Sequence, residues 1–161
     1  MHRTQMGRIL LTFVLAATTV ASFILDWSPN HLLNPLWHPH ARFHGALLLF
    51  MLAGVSGIGI WLLWRKSKEP ETALLTAALL SLSFWTPLFY ITSVLPGSTS
   101  WVGSPETDPR LHGSIVTPNL VVAGFFVLIT IVSLLLGLSR RKPTLPAQGL
   151  PQSPSLRGTR Y

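Results

Sequence analysis

The sequence contains no cysteine. Disulfides, thiolate catalysis and Cys-ligated zinc or iron–sulfur centres are therefore excluded. Charge is nearly as scarce. Of the 161 residues, 11% are Asp, Glu, Lys or Arg, less than half the roughly 25% of an average soluble domain. That scarcity argues against an ordinary soluble domain. Acidic residues are fewest: five Asp and Glu stand against 12 Lys and Arg, for a net charge of +7. Alternating β patterning is missing, which argues against a transmembrane barrel. No internal repeat is visible.

What is present is apolar. Hydrophobic residues make up 48% of the chain and mean hydropathy is +0.46. They gather into four runs, at about residues 9–25, 43–64, 72–95 and 119–138. A helix needs roughly 20 residues to cross the hydrocarbon core, so each run is expected to cross once. The expected fold is an all-α integral membrane protein, a four-helix transmembrane bundle over residues 1–138. Residues 139–161, rich in Pro, Ser, Gly and Arg, are expected to form a disordered basic tail. Its PxxP spacings, Pro143 to Pro146 and Pro151 to Pro154, suit a recognition peptide or a flexible tail near anionic lipid. The first run has a rival interpretation. Arg3, Arg8, the apolar stretch and small residues near Ala21 resemble a signal peptide. The run nevertheless continues through Phe23, Ile24 and Leu25.

Charge sets the expected orientation. With four crossings, both termini share a side with Arg3, Arg8, Arg65, Lys66, Lys68, Arg140, Arg141, Lys142, Arg157 and Arg160. Only Arg42 and Arg110 fall on the other side. The positive-inside rule then makes both termini cytoplasmic, in a plasma or inner membrane. The net charge is accounted for by topology, and nucleic acid is not needed as a partner.

Local signals refine the helices. Thr117-Pro118 and His38-Pro39 read as an N-cap followed by proline at the first helical position. Pro87 is expected to kink the third span, with Ser83, Thr86 and Tyr90 near enough to compensate. Ala17 with Ala21, Ala53 with Gly57, and Ala73 with Ala77 are small pairs that permit close helix contact. Ser81, Ser83, Thr86, Tyr90 and Thr92 make the third helix the most polar. These side chains could line a cavity or bond back to helix carbonyls.

The main chemical signal is histidine. Five of the six map to the outer side: His31, His38, His40, His44 and His112. Four lie in the run DWSPNHLLNPLWHPHARFH. His40 and His44 are one helical turn apart on one face, a usable metal-ligand spacing, with His31 and His38 able to approach from the loop. Imidazole suits zinc, copper, iron or nickel. It also titrates near neutrality, which suits acid–base work. Asp26, Glu106 and Asp108 are the acids on that side. His44, at the membrane boundary, is expected to face the bundle or a water-filled cavity. Arg42 is expected to pair with Asp26 or to reach lipid phosphates. Asn30 and Asn34 suit plain turns. Trp27, Trp37 and Trp101 suit interface anchors. The loop with Glu106, Asp108, Arg110 and His112 suits a lid or a solvated turn. All these histidines also suit simple hydrogen bonding to headgroups or water.

The run from His31 to His44 resembles the signature of a family of small four-span membrane proteins of unknown function found in fungi and bacteria. The shared pattern is HxxNPxWxxHA[KR]FH after the first span. The later LPG at 95–97 and the pair Asp108-Pro109 fit loosely. The resemblance covers most of the chain outside the tail. It sharpens the choice of His31, Asn34, His40 and His44, and implies no activity for them.

Three functions are therefore carried forward. The leading one is a protein that binds an apolar or amphiphilic, lipid-like molecule near the outer membrane face. There His40, His44 and Asp26 would be acid–base groups, and His31, Asn34, Trp37 and Tyr90 would contact the ligand. The second is a metal-binding protein using His31, His38, His40 and His44 for a transition metal. The third is a subunit of a homo- or hetero-oligomeric membrane complex.

Overall fold

The computed structural model describes residues 3–100, 110–111 and 114–138. Four long helices dominate: α1 (Arg3–Asp26), α2 (Pro39–Trp64), α3 (Pro70–Trp85) and, after the short α4 (Ile91–Val94), α5 (Pro118–Gly137). A 3-10 turn, Thr86–Phe89, extends α3. By length and composition, α1, α2, α3 with its 3-10 turn, and α5 are each apolar enough to cross a membrane. The rest is a two-stranded antiparallel ribbon, β1 (Arg110–Leu111) and β2 (Ser114–Ile115), pairing Arg110 with Ile115 and Leu111 with Ser114. The tail lies outside the described residues, as do Trp101, Glu106, Asp108 and His112.

The helices begin where their caps put them. His38 Nδ1 accepts from the His40 backbone N–H at 3.2 Å, with Pro39 at the first helical position of α2. Thr117 does the same for α5, accepting from the Leu120 N–H at 3.4 Å. Proline costs nothing there, because the first N–H groups of a helix have no intrahelical acceptor.

The third span breaks where a kink was expected. Pro87 has no N–H to offer the preceding turn. Thr86 still bonds Leu82 through both its N–H and its hydroxyl, the latter at 2.7 Å. The chain then tightens into the 3-10 turn and leaves helical geometry at Tyr90, where φ is −131°. The continuous helix expected over 72–95 is thus α3, a tight turn and the separate α4.

The bundle has neighbours α1–α2, α2–α3, α3–α5 and α5–α1. α1 and α3 also touch across the diagonal, and α2 and α5 occupy opposite corners. Small and hydroxyl residues face inward: Ala73, Ala77, Ala78, Ala123, Ser133 and Thr130 are buried. Large apolar residues face outward, among them Leu48, Phe125 and Leu128. Bundles in lipid pack this way, because close backbone approach holds them together where the hydrophobic effect cannot.

Two apolar clusters fill the interior, one around Leu11, Leu15, Leu63 and Leu74, the other around Val14, Trp85, Ala123 and Phe126. Hydrogen bonds between side chains stitch the helices together. Trp64 Nε1 donates to Thr12 Oγ1 at 2.9 Å, joining α2 to α1. Trp85 Nε1 donates to Thr18 Oγ1 at 3.0 Å, joining α3 to α1. Ser81 and Thr130 join α3 to α5 at 2.9 Å. α1 crosses close against the α5 backbone, where a Cβ on Gly7 would lie 2.5 Å from the Ser133 carbonyl oxygen. Of the small pairs singled out in the sequence, Ala73 and Ala77 are buried contacts. Gly57 faces open space, so the Ala53–Gly57 pair forms no close crossing.

Candidate functional site

Asp26, the histidine segment and the start of α2 lie at one end of the bundle, the histidine end. The chain leaves α1 through a compact turn, in which Leu32 N–H bonds the Asp26 carbonyl at 3.0 Å and Leu33 N–H bonds that of Ser28 at 2.9 Å. Leu32 then plugs the end of the bundle. It is buried, and its Cδ1 would be 2.8 Å from a Cβ placed on Gly45. Arg42 holds this plug by donating from Nε to the Leu32 carbonyl at 3.0 Å. Asn34 makes the expected turn, its side-chain oxygen accepting from the Leu36 N–H at 2.9 Å.

The site residues divide into two groups. In the first, His31 Nε2 lies 3.9 Å from Asp26 Oδ1. This is within ion-pair reach when the ring is protonated, and too long for a good hydrogen bond. The His31 ring also packs edge-on to Trp37, with centroids 4.7 Å apart. In the second group, His40 Nε2 and His44 Nε2 are 3.0 Å apart, one donating to the other. Their rings meet edge to face, and Phe43 lies against both.

Three expectations change. His44 is exposed on the outer surface of α2. It does not face the bundle interior, because residues 40 and 44 lie to one side of the buried face of α2, which is formed by Leu49, Leu52, Ser56, Gly59 and Leu63. Arg42 bonds the Leu32 carbonyl, and no Arg42–Asp26 ion pair forms among the described residues. The carboxylate's imidazole partner is His31, and neither His40 nor His44 pairs with it. His38 is engaged as the α2 cap, and among the described residues no three His, Asp or Glu converge on one point. Tyr90 is exposed just beyond the 3-10 turn, which packs with α3 and α5.

A cavity of about 420 Å³ opens between α1, α2 and α3 below the histidine end. Leu48, Met51, Leu52, Val55 and Ser56 of α2, Leu15 and Thr18 of α1, and Leu80, Ser81, Ser83 and Phe84 of α3 line it. Leu48, Met51, Val55 and Ser83 are exposed, so the cavity reaches the outer surface of the bundle. Its α2 wall continues upward as histidine. Residues 40, 44, 48, 51 and 55 recur at helical spacing and form one stripe. Sequence patterning points to Ser81 and Ser83 but misses Thr18 and Ser56. Their only signal is a lone hydroxyl within an otherwise apolar run.

These features define a class: a small four-helix bundle of membrane-crossing length, with His31, His38, His40 and His44 at one end and a lateral cavity beneath them. The chain belongs to a family of unknown function, DUF6640, whose model matches residues 10–148. No curated protein sequence and no solved structure matches it.

Proposed function

We propose that the protein is a multi-pass membrane protein of the plasma or inner membrane, with cytoplasmic termini, that binds an amphiphile from the outer leaflet. The observation that carries this is the continuous α2 stripe. It places the paired imidazoles directly above the mouth of an apolar cavity. A headgroup would meet His40 and His44, and its chain would enter between Leu48, Met51 and Val55. Residues 44 and 55 are separated by about 17 Å along a helix, comparable to one leaflet of a core about 30 Å thick.

Acid–base chemistry, if the ligand reacts, divides between the two groups. One of His40 and His44 donates to the other through Nε2, and this pair can exchange a proton with a bound headgroup. Asp26 orients and balances His31, beside Trp37 and Asn34. A second reading, metal handling, has one observation in its favour: two Nε2 atoms face each other 3.0 Å apart. His31 and His38 would have to move to complete it.

Native mass spectrometry of the untagged full chain in mild detergent tests these readings together. Amphiphile binding predicts a co-purifying lipid-sized adduct that Val55→Trp removes by filling the mouth. Bound transition metal lost from His40→Ala and His44→Ala would favour metal handling instead. Partner chains in place of both adducts would favour a subunit role.

A further inference from the structure

The cavity wall carries four hydroxyls, and their protons are unequally committed. Thr130 Oγ1 donates its single proton to the Phe126 carbonyl at 2.8 Å. The bond between Ser81 and Thr130 therefore uses the Ser81 proton. Ser83 donates to the Leu80 carbonyl at 2.8 Å. Thr18 accepts from Trp85 Nε1, and its own proton has no acceptor among the described residues. Ser56 is 3% exposed and lines the cavity, and its Oγ has no hydrogen-bond partner among the described residues. No fully buried polar side-chain atom among them lacks a partner, so this hydroxyl opens on the cavity. That sets Ser56 apart among the buried hydroxyl residues of the bundle. Thr12, Thr19, Thr76, Thr130 and Ser133 all donate back to the carbonyl one turn earlier, the usual resource of a hydroxyl in an apolar helix.

A hydroxyl that opens on an apolar cavity has few partners there, and an acceptor carried in by a ligand supplies one. We infer that the cavity selects an amphiphile bearing an oxygen acceptor, a carbonyl or hydroxyl, deep in its chain, with Ser56 as the residue that recognises it and Thr18 as the second donor. The inference rests on the amphiphile reading above and adds the chemistry of the ligand. Ser56 lies twelve residues beyond His44, about 18 Å along a helix. A molecule whose head reaches the histidine pair therefore presents mid-chain or distal atoms to Ser56, and an oxygen at that depth would find the two free donors.

The test uses the full-length protein in mild detergent, titrated by native mass spectrometry with octadecanoic acid and a positional series of keto-octadecanoic acids. One keto position should bind about five- to tenfold more tightly than the plain acid, the worth of one hydrogen bond. Ser56→Ala should abolish that preference, so that every keto acid binds no more tightly than the plain acid, and should not lower the thermal midpoint, since no protein contact is lost. Ser56→Thr should retain the preference. Equal binding of all probes to the wild-type protein would overturn the inference and leave amphiphile binding standing. So would a preference that survives Ser56→Ala. Failure of every probe to bind would overturn both.

Discussion

Trp85 and Thr18 meet in the buried centre of the bundle, the indole N–H donating to the threonine hydroxyl at 3.0 Å. The same indole stacks on Phe126 of α5, with ring centroids 4.8 Å apart. One side chain thus ties α3 to both α1 and α5, close to where Pro87 ends the regular helix. Trp85→Phe keeps most of the stacking and removes the donor. Thr18→Val keeps the volume and removes the acceptor. In a double-mutant cycle of unfolding in detergent, the two should couple by about 0.6 kcal/mol, the average for such bonds between membrane helices. Strictly additive effects would mean that the bond contributes nothing.

Two helix glycines should respond in opposite ways. Gly7 faces the α5 backbone, and Gly57 faces nothing within 4 Å. Gly7→Ala forces two backbones apart and should destabilise the bundle by about 1–3 kcal/mol. Gly57→Ala meets no neighbour and should be neutral or stabilising by up to about 1 kcal/mol. Thermal melts of both variants in one detergent separate the outcomes, and equal effects would contradict the placement of the α1–α5 crossing.

The same contrast explains how far the sequence could be followed. Four apolar runs and two X-Pro caps specify the long helices, because hydropathy and capping act locally. The break at Tyr90 is less legible. Pro87 announces a lost hydrogen bond, but whether the chain kinks or leaves the helix is set by what packs beyond it. At the site, the pairing of His40 with His44 follows from one turn of helix. The pairing of Asp26 with His31 does not, since it depends on the turn that buries Leu32 against Gly45 under the Arg42 bond. The cavity was hardest to foresee. Ser56 and Ser81 look alike in the sequence, and only the position of Thr130 bonds one and leaves the other open to the cavity.

A histidine holds the start of α2. His38 Nδ1 accepts the His40 N–H there, in the place an Asp, Asn, Ser or Thr cap would take. Losing a cap of this kind costs about 1 kcal/mol. In His38→Ala, amide hydrogen exchange should show the first turn of α2 opening. Unchanged protection there would show that the histidine cap does not hold it. His38→Asp should keep the protection.

The absence of cysteine makes the proposed orientation directly measurable. A single Ser67→Cys reports the short α2–α3 connection, and a single Asn30→Cys reports the histidine end. Neither residue carries the bundle, since Asn30 is exposed and Ser67 lies in the turn before α3, where its hydroxyl accepts from the Glu69 N–H at 3.0 Å. The basic cluster Arg65, Lys66 and Lys68 flanks Ser67, and positive-inside bias should hold that turn in the cytoplasm. In intact cells, a membrane-impermeant maleimide should therefore label Asn30→Cys and spare Ser67→Cys until the membrane is permeabilised. The reverse pattern would put the histidine pair and the cavity mouth on the cytoplasmic side. The amphiphile would then have to enter from the inner leaflet, because the α2 stripe joins His44 to Val55 whichever way the bundle is inserted.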